Sequence, residues 1–272
     1  MVLFFSSNKV NKMEKIFLRN NAIGETTMEV YLPKNQISKK VVVIFPGGAY
    51  LHRAVHEGAG YAEFLSQNGY VSFVVNYSVV NEGDLHFPEQ LLDARCAIRY
   101  LRANCEKFNI DKNEIYVMGS SAGGHLASLT STCLEKLVGE ENEPYYTEDF
   151  LPNGQILCYP VIELYGKNAN TNSAKNLLGA NYTEELCKRY SPNLLVTEKT
   201  PKAFIWHTFT DDGVSVNNSL NYALSLKENN VSCELHLFPY GNHGKGLATK
   251  DTVDDKHISV WSSLLLKWLQ TY

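Results

Sequence analysis

The chain has 272 residues, of which 44% are hydrophobic and 20% charged, and its formal net charge is −4 at pH 7. These proportions are ordinary for a soluble globular protein of one large domain or two small ones, and the small charge gives no electrostatic reason to expect nucleic acid or an anionic membrane as a partner. Residues 1–6 lack the basic leader and apolar core of a signal peptide, and no stretch approaches the roughly 20 apolar residues of a membrane helix, so we expect a cytoplasmic protein that acts on small molecules.

Apolar runs and amphipathic segments alternate along most of the chain. Residues 1–27 are polar and weakly patterned, and an edge strand is predicted at Met28–Leu32. A continuous apolar run, typical of a strand buried on both faces of a parallel sheet, follows at Val41–Phe45, and Val71–Val75 repeats it. Further strands are predicted at Ile115–Met118, Gln155–Tyr159, Ala203–Trp206 and Leu235–Phe238. Helices are predicted at Glu57–Asn68, from Pro88 through Leu101, directly after Ser121, at Val216–Asn229 and at His257–Leu269. This alternation predicts an α/β fold with a mostly parallel sheet flanked by helices.

The cysteines do not indicate a disulfide framework. Six are scattered along the chain without C-x-x-C spacing. On one continuous helix Cys96 and Cys105 would lie roughly 13 Å apart at about 1.5 Å per residue, which is too far for a disulfide. We expect reduced, packed thiols.

The stretch Gly119-Ser120-Ser121-Ala122-Gly123 follows a predicted strand and opens a predicted helix. This is the strand-turn-helix context that the G-x-S-x-G nucleophile elbow requires, and it identifies Ser121 as the candidate nucleophile, with Ser120 at the x position. Glycines on either side allow close packing while the serine takes a strained conformation that exposes its hydroxyl. By itself the pentapeptide could be an ordinary glycine-rich turn, so a base, an acid and oxyanion donors must be found elsewhere.

The base should be a histidine on a loop after a late strand. Of eight histidines only His243 fits, because it lies on the loop after Leu235–Phe238 and before the last predicted helix. The acid should lie on the loop after the preceding strand, where Asp211 and Asp212 are adjacent and either could serve. An isolated loop histidine or turn aspartate would be an ordinary solvated residue; their position relative to Ser121 favours catalysis.

Oxyanion donors are expected at the turn after an early strand. Val41–Phe45 runs into Pro46-Gly47-Gly48-Ala49-Tyr50, which resembles the HGGG motif with proline in place of histidine. Glycines let backbone N–H groups point into a site unobstructed, so Gly48 and Ala49, with Ala122 after the nucleophile, are the candidate donors. Tyr50 comes directly beyond these donors and is predicted to contact the substrate.

Two stretches interrupt the alternation. Residues 138–154 are rich in Glu and Tyr, and residues 162–200 contain many Asn, Gly, Tyr and Pro. Insertions at these points are expected to form a small cap over the carboxyl ends of the strands, where open α/β sheets bind ligands. We predict a single domain, 1–272, with this cap.

The remaining histidines suggest structural roles. His52 and His56 have H-x-x-x-H spacing but no third ligand at a recognisable distance, so no metal site is predicted. His125, one helical turn beyond Ser121, is expected to be a hydrogen-bonded packing residue. His207 is expected to brace the acid loop.

Together these residues resemble the α/β-hydrolase esterases, and more narrowly the bacterial acetyl-esterase branch related to acetylxylan esterases and feruloyl-esterase-like carbohydrate esterases. The segments that carry the resemblance are Phe45–Tyr50, Asn76–Val79, Phe87–Asp93, Gly119–Ala127, Tyr159–Ile162, Trp206–Thr208 and Gly241–Gly244. The order Ser121, Asp211, His243 is that of α/β-hydrolases, and the acid-x-x-Val pattern of these enzymes favours Asp211, since Val214 stands three residues on. The chain departs from the family at three positions: Ser78 stands where arginine is frequent, Thr210 where aspartate is frequent, and Ser215 where proline is frequent.

The resemblance implies a serine esterase that hydrolyses short acyl esters, often acetyl groups on xylose-containing sugars, without a cofactor. The alternatives are an arylformamidase-like amidase, a generic carboxylesterase, and a non-catalytic ligand-binding homologue. A small-molecule ester is the expected partner, with neither nucleic acid nor membrane; the oligomeric state stays open, and a homo-oligomer is compatible with the sequence.

Overall fold

A computed structural model describes residues 12–250 and 252–272. The strands of the described chain are β1 (Lys12–Asn21), β2 (Gly24–Tyr31), β3 (Val41–Phe45), β4 (Val71–Asn76), β5 (Ile115–Ser120), β6 (Gly154–Cys158), β7 (Ala203–Thr208) and β8 (Cys233–Phe238). Its α-helices are α1 (Val55–Gln67), α2 (Glu89–Ala103), α3 (Ala122–Thr132), α4 (Thr171–Leu178), α5 (Glu184–Arg189), α6 (Asn217–Glu228), α7 (Val253–Ile258) and α8 (Val260–Thr271). Among the described helices, none is long and apolar enough to cross a membrane.

The strands form one sheet in the order β1-β2-β4-β3-β5-β6-β7-β8. From β4 to β8 every neighbouring pair is parallel, whereas β2 pairs antiparallel with both β1 and β4. The predicted α/β class, with a mostly parallel sheet flanked by helices, is confirmed.

The central strand β3 shows why the sheet is covered on both faces. Val41, Val43 and Phe45 belong to a core that includes apolar residues of α2, α3 and α6. Val42 and Ile44 belong to a second core with apolar residues of α1 and α8. Because successive side chains of a strand point to opposite faces, a continuous apolar run is what two buried faces require.

The edge of the sheet differs from the prediction. In the described chain one edge strand is β1, within the stretch predicted to be weakly patterned, the other is β8, and β2 is an interior strand. Two register shifts interrupt the pairing of β1 with β2, between Lys12 and Lys15 and between Phe17 and Arg19. These irregularities, together with charged residues along β1, hide the alternation by which a strand is recognised.

Helices α4 and α5 were not predicted, and the last predicted helix is divided. Helix α7 ends at Ile258 and α8 begins at Val260, so the predicted helix His257–Leu269 spans a break at Ser259. Helices α4 and α5 have only eight and six residues, respectively. Such short helices give too few turns for a hydrophobic period to be recognised.

The two predicted cap segments lie in different places. In residues 138–154, the carbonyls of Glu148 and Asp149 accept hydrogen bonds from Arg99 and Arg102 of α2. Asn153 N donates to the carbonyl of Ile115, the first residue of β5. This segment therefore follows α2 towards the amino ends of the strands and does not cover the carboxyl edge as predicted. Residues 162–200 follow the carboxyl end of β6 and carry α4 and α5.

A buried ion pair attaches the edge strand β1 to helix α2. Arg19 Nη1 lies 2.8 Å from Asp93 Oδ1 and 2.8 Å from Glu89 Oε2, and Nη2 lies 2.8 Å from Glu143 Oε1. The side chains of Arg19 and Asp93 are 5% and 0% exposed. Removing the guanidinium would leave the Asp93 carboxyl buried without a cation.

Arg19→Met is therefore expected to lower the free energy of unfolding by about 3–5 kcal/mol, the usual effect of removing one partner of a buried pair. The matched control is Arg189→Met, since Arg189 pairs with Glu135 while its side chain is 57% exposed. An exposed pair contributes about 1 kcal/mol or less. Urea unfolding of both variants measures the difference, and equal losses would contradict a structural role for the buried pair.

Candidate active site

Ser121 lies at the sharp turn between β5 and α3. Its backbone has φ 53° and ψ −121°, a region that residues other than glycine rarely occupy. A Cβ at Gly119 would lie 2.0 Å from the carbonyl oxygen of Gly123, and a Cβ at Gly123 would lie 2.0 Å from the carbonyl oxygen of Phe45. The glycines of the motif are therefore required by backbone approach, and Ser121 takes the strained conformation that the sequence predicts.

Three predicted residues meet at the carboxyl edge of the sheet. Ser121 Oγ lies 2.8 Å from His243 Nε2. His243 Nδ1 lies 2.9 Å from Asp211 Oδ2. Asp211 follows β7 and His243 follows β8, and these parallel neighbours place their following loops at the same edge as the elbow after β5. The exposed fraction of the side chain falls from 24% at His243 to 1% at Asp211.

The surroundings of Asp211 keep its carboxylate ionised. Its Oδ1 accepts hydrogen bonds from the backbone N–H groups of Gly213 at 2.9 Å and Val214 at 2.7 Å. Its Oδ2 lies 3.2 Å from His207 Nε2. Burial alone would raise the pKa of Asp211, but the hydrogen bonds from His207 and His243 outweigh burial and hold it well below its ordinary value.

The structure distinguishes the two adjacent aspartates. Asp212 is exposed, and its Oδ1 accepts a hydrogen bond of 2.9 Å from the backbone N–H of His243. Of the two aspartates, only Asp211 forms a hydrogen bond with the imidazole of His243. Asp212 therefore helps to hold the backbone of the His243 loop, and Asp211 can orient the imidazole ring of His243.

The glycine turn after β3 packs directly against the elbow. A Cβ at Gly47 would lie 3.1 Å from Ser121 Cβ. The N–H of Gly47 is already engaged, because it donates to Glu57 Oε2 at 2.8 Å. Within the described chain, the N–H groups of Gly48, Ala49 and Ala122 take part in no protein hydrogen bond outside regular helices and strands. The N–H groups of the three predicted donors are therefore not engaged by other protein groups in that part of the chain.

The position of Tyr50 corrects its predicted role as a substrate contact. The side chain is fully buried, and its hydroxyl lies 2.7 Å from His125 Nδ1. His125 Nε2 in turn lies 2.8 Å from the carbonyl oxygen of Tyr190, and burial lowers the pKa of His125 to about 4. A neutral imidazole that donates from Nε2 and accepts at Nδ1 satisfies both contacts. Tyr50 therefore anchors the glycine turn in the core, with His125 as the expected packing residue.

Helix α4 extends between the two sides of the site. Asn170, which caps its N-terminus, donates from Nδ2 to the carbonyl oxygen of Gly213 at 3.1 Å. Asn176 donates from Nδ2 to the carbonyl oxygen of Ala49 at 2.8 Å. The sequence analysis missed both residues; an N-cap asparagine before a short helix was a usable signal for Asn170, and no local pattern pointed to Asn176.

His52 and His56 do not share a helix, since α1 begins at Val55. Both are exposed, and His56 Nε2 lies 3.1 Å from the carbonyl oxygen of Gly244. In the part of the chain that the structure describes, no group of three or more His, Cys, Asp or Glu side chains could hold a metal ion.

Known proteins are similar to this chain in both sequence and fold. The BD-FAE family description matches residues 28–226. Endo-1,4-beta-xylanase B of Butyrivibrio fibrisolvens is 33% identical over 235 residues, which are 85% of this chain and 36% of that protein. Acetylxylan esterase of Xylanibacter ruminicola is 32% identical over 241 residues, which are 87% of this chain and 47% of that protein. The crystal structure of an acetyl ester-xyloside bifunctional hydrolase from Caldicellulosiruptor lactoaceticus has a TM-score of 0.85 at 38% identity, covering 97% of this chain and 98% of that one.

The chain spans less than half the length of these two curated relatives, 36% and 47%. The solved structure, in contrast, is matched over nearly its whole length. These similarities confirm the resemblance to α/β-hydrolases of the carbohydrate-esterase branch. The chain belongs to the BD-FAE family of α/β-hydrolases.

Proposed function

We propose that this protein is a serine esterase that hydrolyses short acyl esters, with acetyl esters of xylan-derived or other sugars as the substrate class. The observation that carries the proposal is the continuous set of contacts Ser121 Oγ, His243 Nε2, His243 Nδ1 and Asp211 Oδ2, with spacings of 2.8 and 2.9 Å. A serine hydroxyl needs such a base and such an orienting carboxylate to act as a nucleophile.

In the proposed reaction, His243 Nε2 takes the proton of Ser121 Oγ as the oxygen attacks the ester carbonyl. The backbone N–H groups of Gly48, Ala49 and Ala122 donate to the oxyanion. His243 then gives its proton to the leaving alcohol, which leaves Ser121 acylated. A water molecule, deprotonated by the same imidazole, attacks the acyl group, and the imidazolium returns the proton to Ser121 Oγ as the carboxylic acid is released. Asp211 keeps the proton of the neutral ring on Nδ1, so that Nε2 faces the serine, and stabilises the imidazolium.

Two observations support the proposed preference for acetyl esters: the names of similar proteins and the position of helix α4. The names of an acetylxylan esterase and of an acetyl ester-xyloside hydrolase among the similar proteins support acetylated sugars as substrates. Helix α4 is fixed by hydrogen bonds to the loops of Ala49 and Gly213, and we propose that it limits the room available to a long acyl chain.

The cytoplasm remains the proposed compartment. All six cysteines lie among the described residues and are unpaired, and most of them are buried. Packed thiols fit a reducing environment. A small-molecule ester is the proposed partner, and the mechanism needs no cofactor.

Ser121→Ala is expected to abolish turnover of 4-nitrophenyl acetate and labelling by a fluorophosphonate, because the nucleophilic oxygen is lost. Ser120→Ala is the matched control: Ser120 is buried, and its Oγ lies 2.8 Å from the Tyr61 hydroxyl. This control should retain both activities. If the two variants behaved alike, the nucleophile would not be Ser121.

Asp211→Asn should lower kcat by roughly 10⁴, because an amide at this position leaves His243 in the wrong tautomer. Asp212→Asn should be much milder, since Asp212 contacts only the backbone of His243. Steady-state kinetics on the same ester compare the variants, and the reverse ranking would assign the acid to Asp212.

Acetate esters should be hydrolysed faster than butyrate esters, and octanoate esters should be nearly inert. Each methylene would gain about 0.8 kcal/mol if the pocket could bury it, so a falling rate requires steric exclusion that overrides this gain. The measurement is kcat/KM for the 4-nitrophenyl esters, corrected for spontaneous hydrolysis, together with acetylated xylo-oligosaccharides and N-formylkynurenine. Activity that rises to octanoate would contradict the acetyl-esterase proposal, and a preference for N-formylkynurenine would favour an arylformamidase.

A further inference from the structure

A buried glutamate lies behind the glycine turn, outside the proposed catalytic residues. Glu57, on the first turns of α1, is 3% exposed. Its Oε2 accepts the N–H of Gly47 at 2.8 Å, and its Oε1 accepts the hydroxyl of Tyr159 at 2.7 Å. A Cβ at position 47 would lie only 2.4 Å from Glu57 Oε2, so the carboxylate fills the space beneath the turn.

Tyr159 links Glu57 to the loop of His243, the candidate base. It follows β6, is 1% exposed, and its hydroxyl oxygen accepts the N–H of Gly246 at 2.9 Å. Its ring packs edge-on against the ring of His243, with centroids 5.1 Å apart and an interplanar angle of 75°. The same tyrosine thus supports both the backbone after His243 and the imidazole itself.

We propose that Glu57 is a positioning residue that fixes the oxyanion turn and the His243 loop relative to each other, a role that rests on the proposed esterase function. One carboxylate oxygen holds Gly47, the residue before the two candidate donors Gly48 and Ala49. The other holds Tyr159 and, through it, the loop of His243. Glu57 does not touch the reacting atoms; it acts through the groups that do.

The proton positions along this network are mutually consistent. Tyr159 has one hydroxyl proton, and a carboxylate only accepts, so this proton points to Glu57 Oε1. Tyr61 lies 3.2 Å from the Tyr159 hydroxyl and 2.8 Å from Ser120 Oγ, and it therefore donates to Tyr159 and accepts from Ser120. The hydroxyl groups of Ser120, Tyr61 and Tyr159 therefore each donate along the network towards Glu57, whose carboxylate has no proton to donate.

A second contact joins α1 to the same loop. The exposed His56 places Nε2 3.1 Å from the carbonyl oxygen of Gly244 and 3.8 Å from Glu57 Oε1. Helix α1 therefore meets the His243 loop from the surface, through His56, and from the interior, through Glu57 and Tyr159. Such a double attachment fits a requirement for a fixed distance between base and oxyanion donors, because a misplacement of about 1 Å can lower a rate by about 10².

The test compares Glu57→Ala, which removes both hydrogen bonds of the carboxylate, with Tyr159→Phe. The second variant removes the hydroxyl and its contacts with Glu57, Gly246 and Tyr61, but keeps the ring and the bond between Glu57 and Gly47. With 4-nitrophenyl acetate, kcat should fall about 100-fold in Glu57→Ala and about 10-fold in Tyr159→Phe. KM should stay within about threefold of wild type, because the oxyanion donors and His243, which the network positions, act on the substrate in the transition state. The inhibition constant of phenylboronic acid, which adds to the serine as a tetrahedral adduct, should rise in parallel. The double variant should resemble Glu57→Ala, since both residues act through one network.

Tyr222→Phe is the matched control. Tyr222 is fully buried, and its hydroxyl donates to Gln155 Oε1 at 2.9 Å, at the amino end of β6 and away from the site. It also loses a buried tyrosine hydroxyl and should therefore lose some thermal stability, but it should keep wild-type kcat and boronate affinity. If Glu57→Ala does not fold, the comparison of Tyr159→Phe, which lacks only one oxygen atom, with Tyr222→Phe tests the positioning role.

The positioning role is overturned if the folded Glu57 or Tyr159 variants keep wild-type kcat and boronate affinity, or if Tyr222→Phe loses as much activity as Tyr159→Phe. The proposed esterase function fails separately, when wild-type protein hydrolyses none of the esters or when Ser121→Ala remains active. An active wild type with an unaffected Glu57→Ala would therefore reject the inference and leave the esterase proposal intact.

Discussion

The geometry of the site depends on backbone contact between the end of β3 and the start of α3. Gly123 approaches Phe45 so closely that a single added carbon would overlap the Phe45 carbonyl oxygen. This approach brings the turn after β3 against Ser121, so the nucleophile and the candidate oxyanion donors belong to one packed unit. Strain at Ser121, with φ 53°, persists because the parallel pairing of β3 with β5 and the packing of α3 leave the turn no alternative path.

The other functional groups are attached to this unit by hydrogen bonds that cross between elements. Asn176 joins α4 to Ala49, and Asn170 joins the same helix to Gly213. Thr208 Oγ1 and Thr210 Oγ1 both donate to the carbonyl oxygen of Gly241, which links the loops after β7 and β8. Loops alone would position the acid and base loosely, and these bonds transfer the rigidity of the sheet to them.

Sequence reasoning reached the residues whose position follows from strand order. Ser121 follows β5 directly, and Asp211 and His243 lie on the loops after β7 and β8. Because the carboxyl ends of parallel strands share one edge of the sheet, strand order predicts that these loops meet, whereas the choice of Asp211 over Asp212 came from the family resemblance. The orientation of a side chain does not follow from strand order. Tyr50 stands beside the candidate donors in sequence, yet a backbone φ of 60° accompanies a side chain that enters the core. Glu57 is only the first residue of a predicted helix in the sequence analysis, because its partners Gly47 and Tyr159 are distant in sequence and neither contact produces a local pattern.

Four buried carboxylates of the described chain show two ways in which the protein satisfies a buried negative charge. Away from the site, Asp93 and Glu140 are paired with arginine. At the site, Asp211 and Glu57 are satisfied by backbone N–H groups, a tyrosine hydroxyl and imidazoles, and none of their hydrogen bonds comes from lysine or arginine. A permanent cation beside Asp211 would offset its negative field and so weaken the stabilisation of a positive charge on His243. Since that charge appears only as Ser121 loses its proton, neutral donors around the carboxylates keep the field available for the step that needs it.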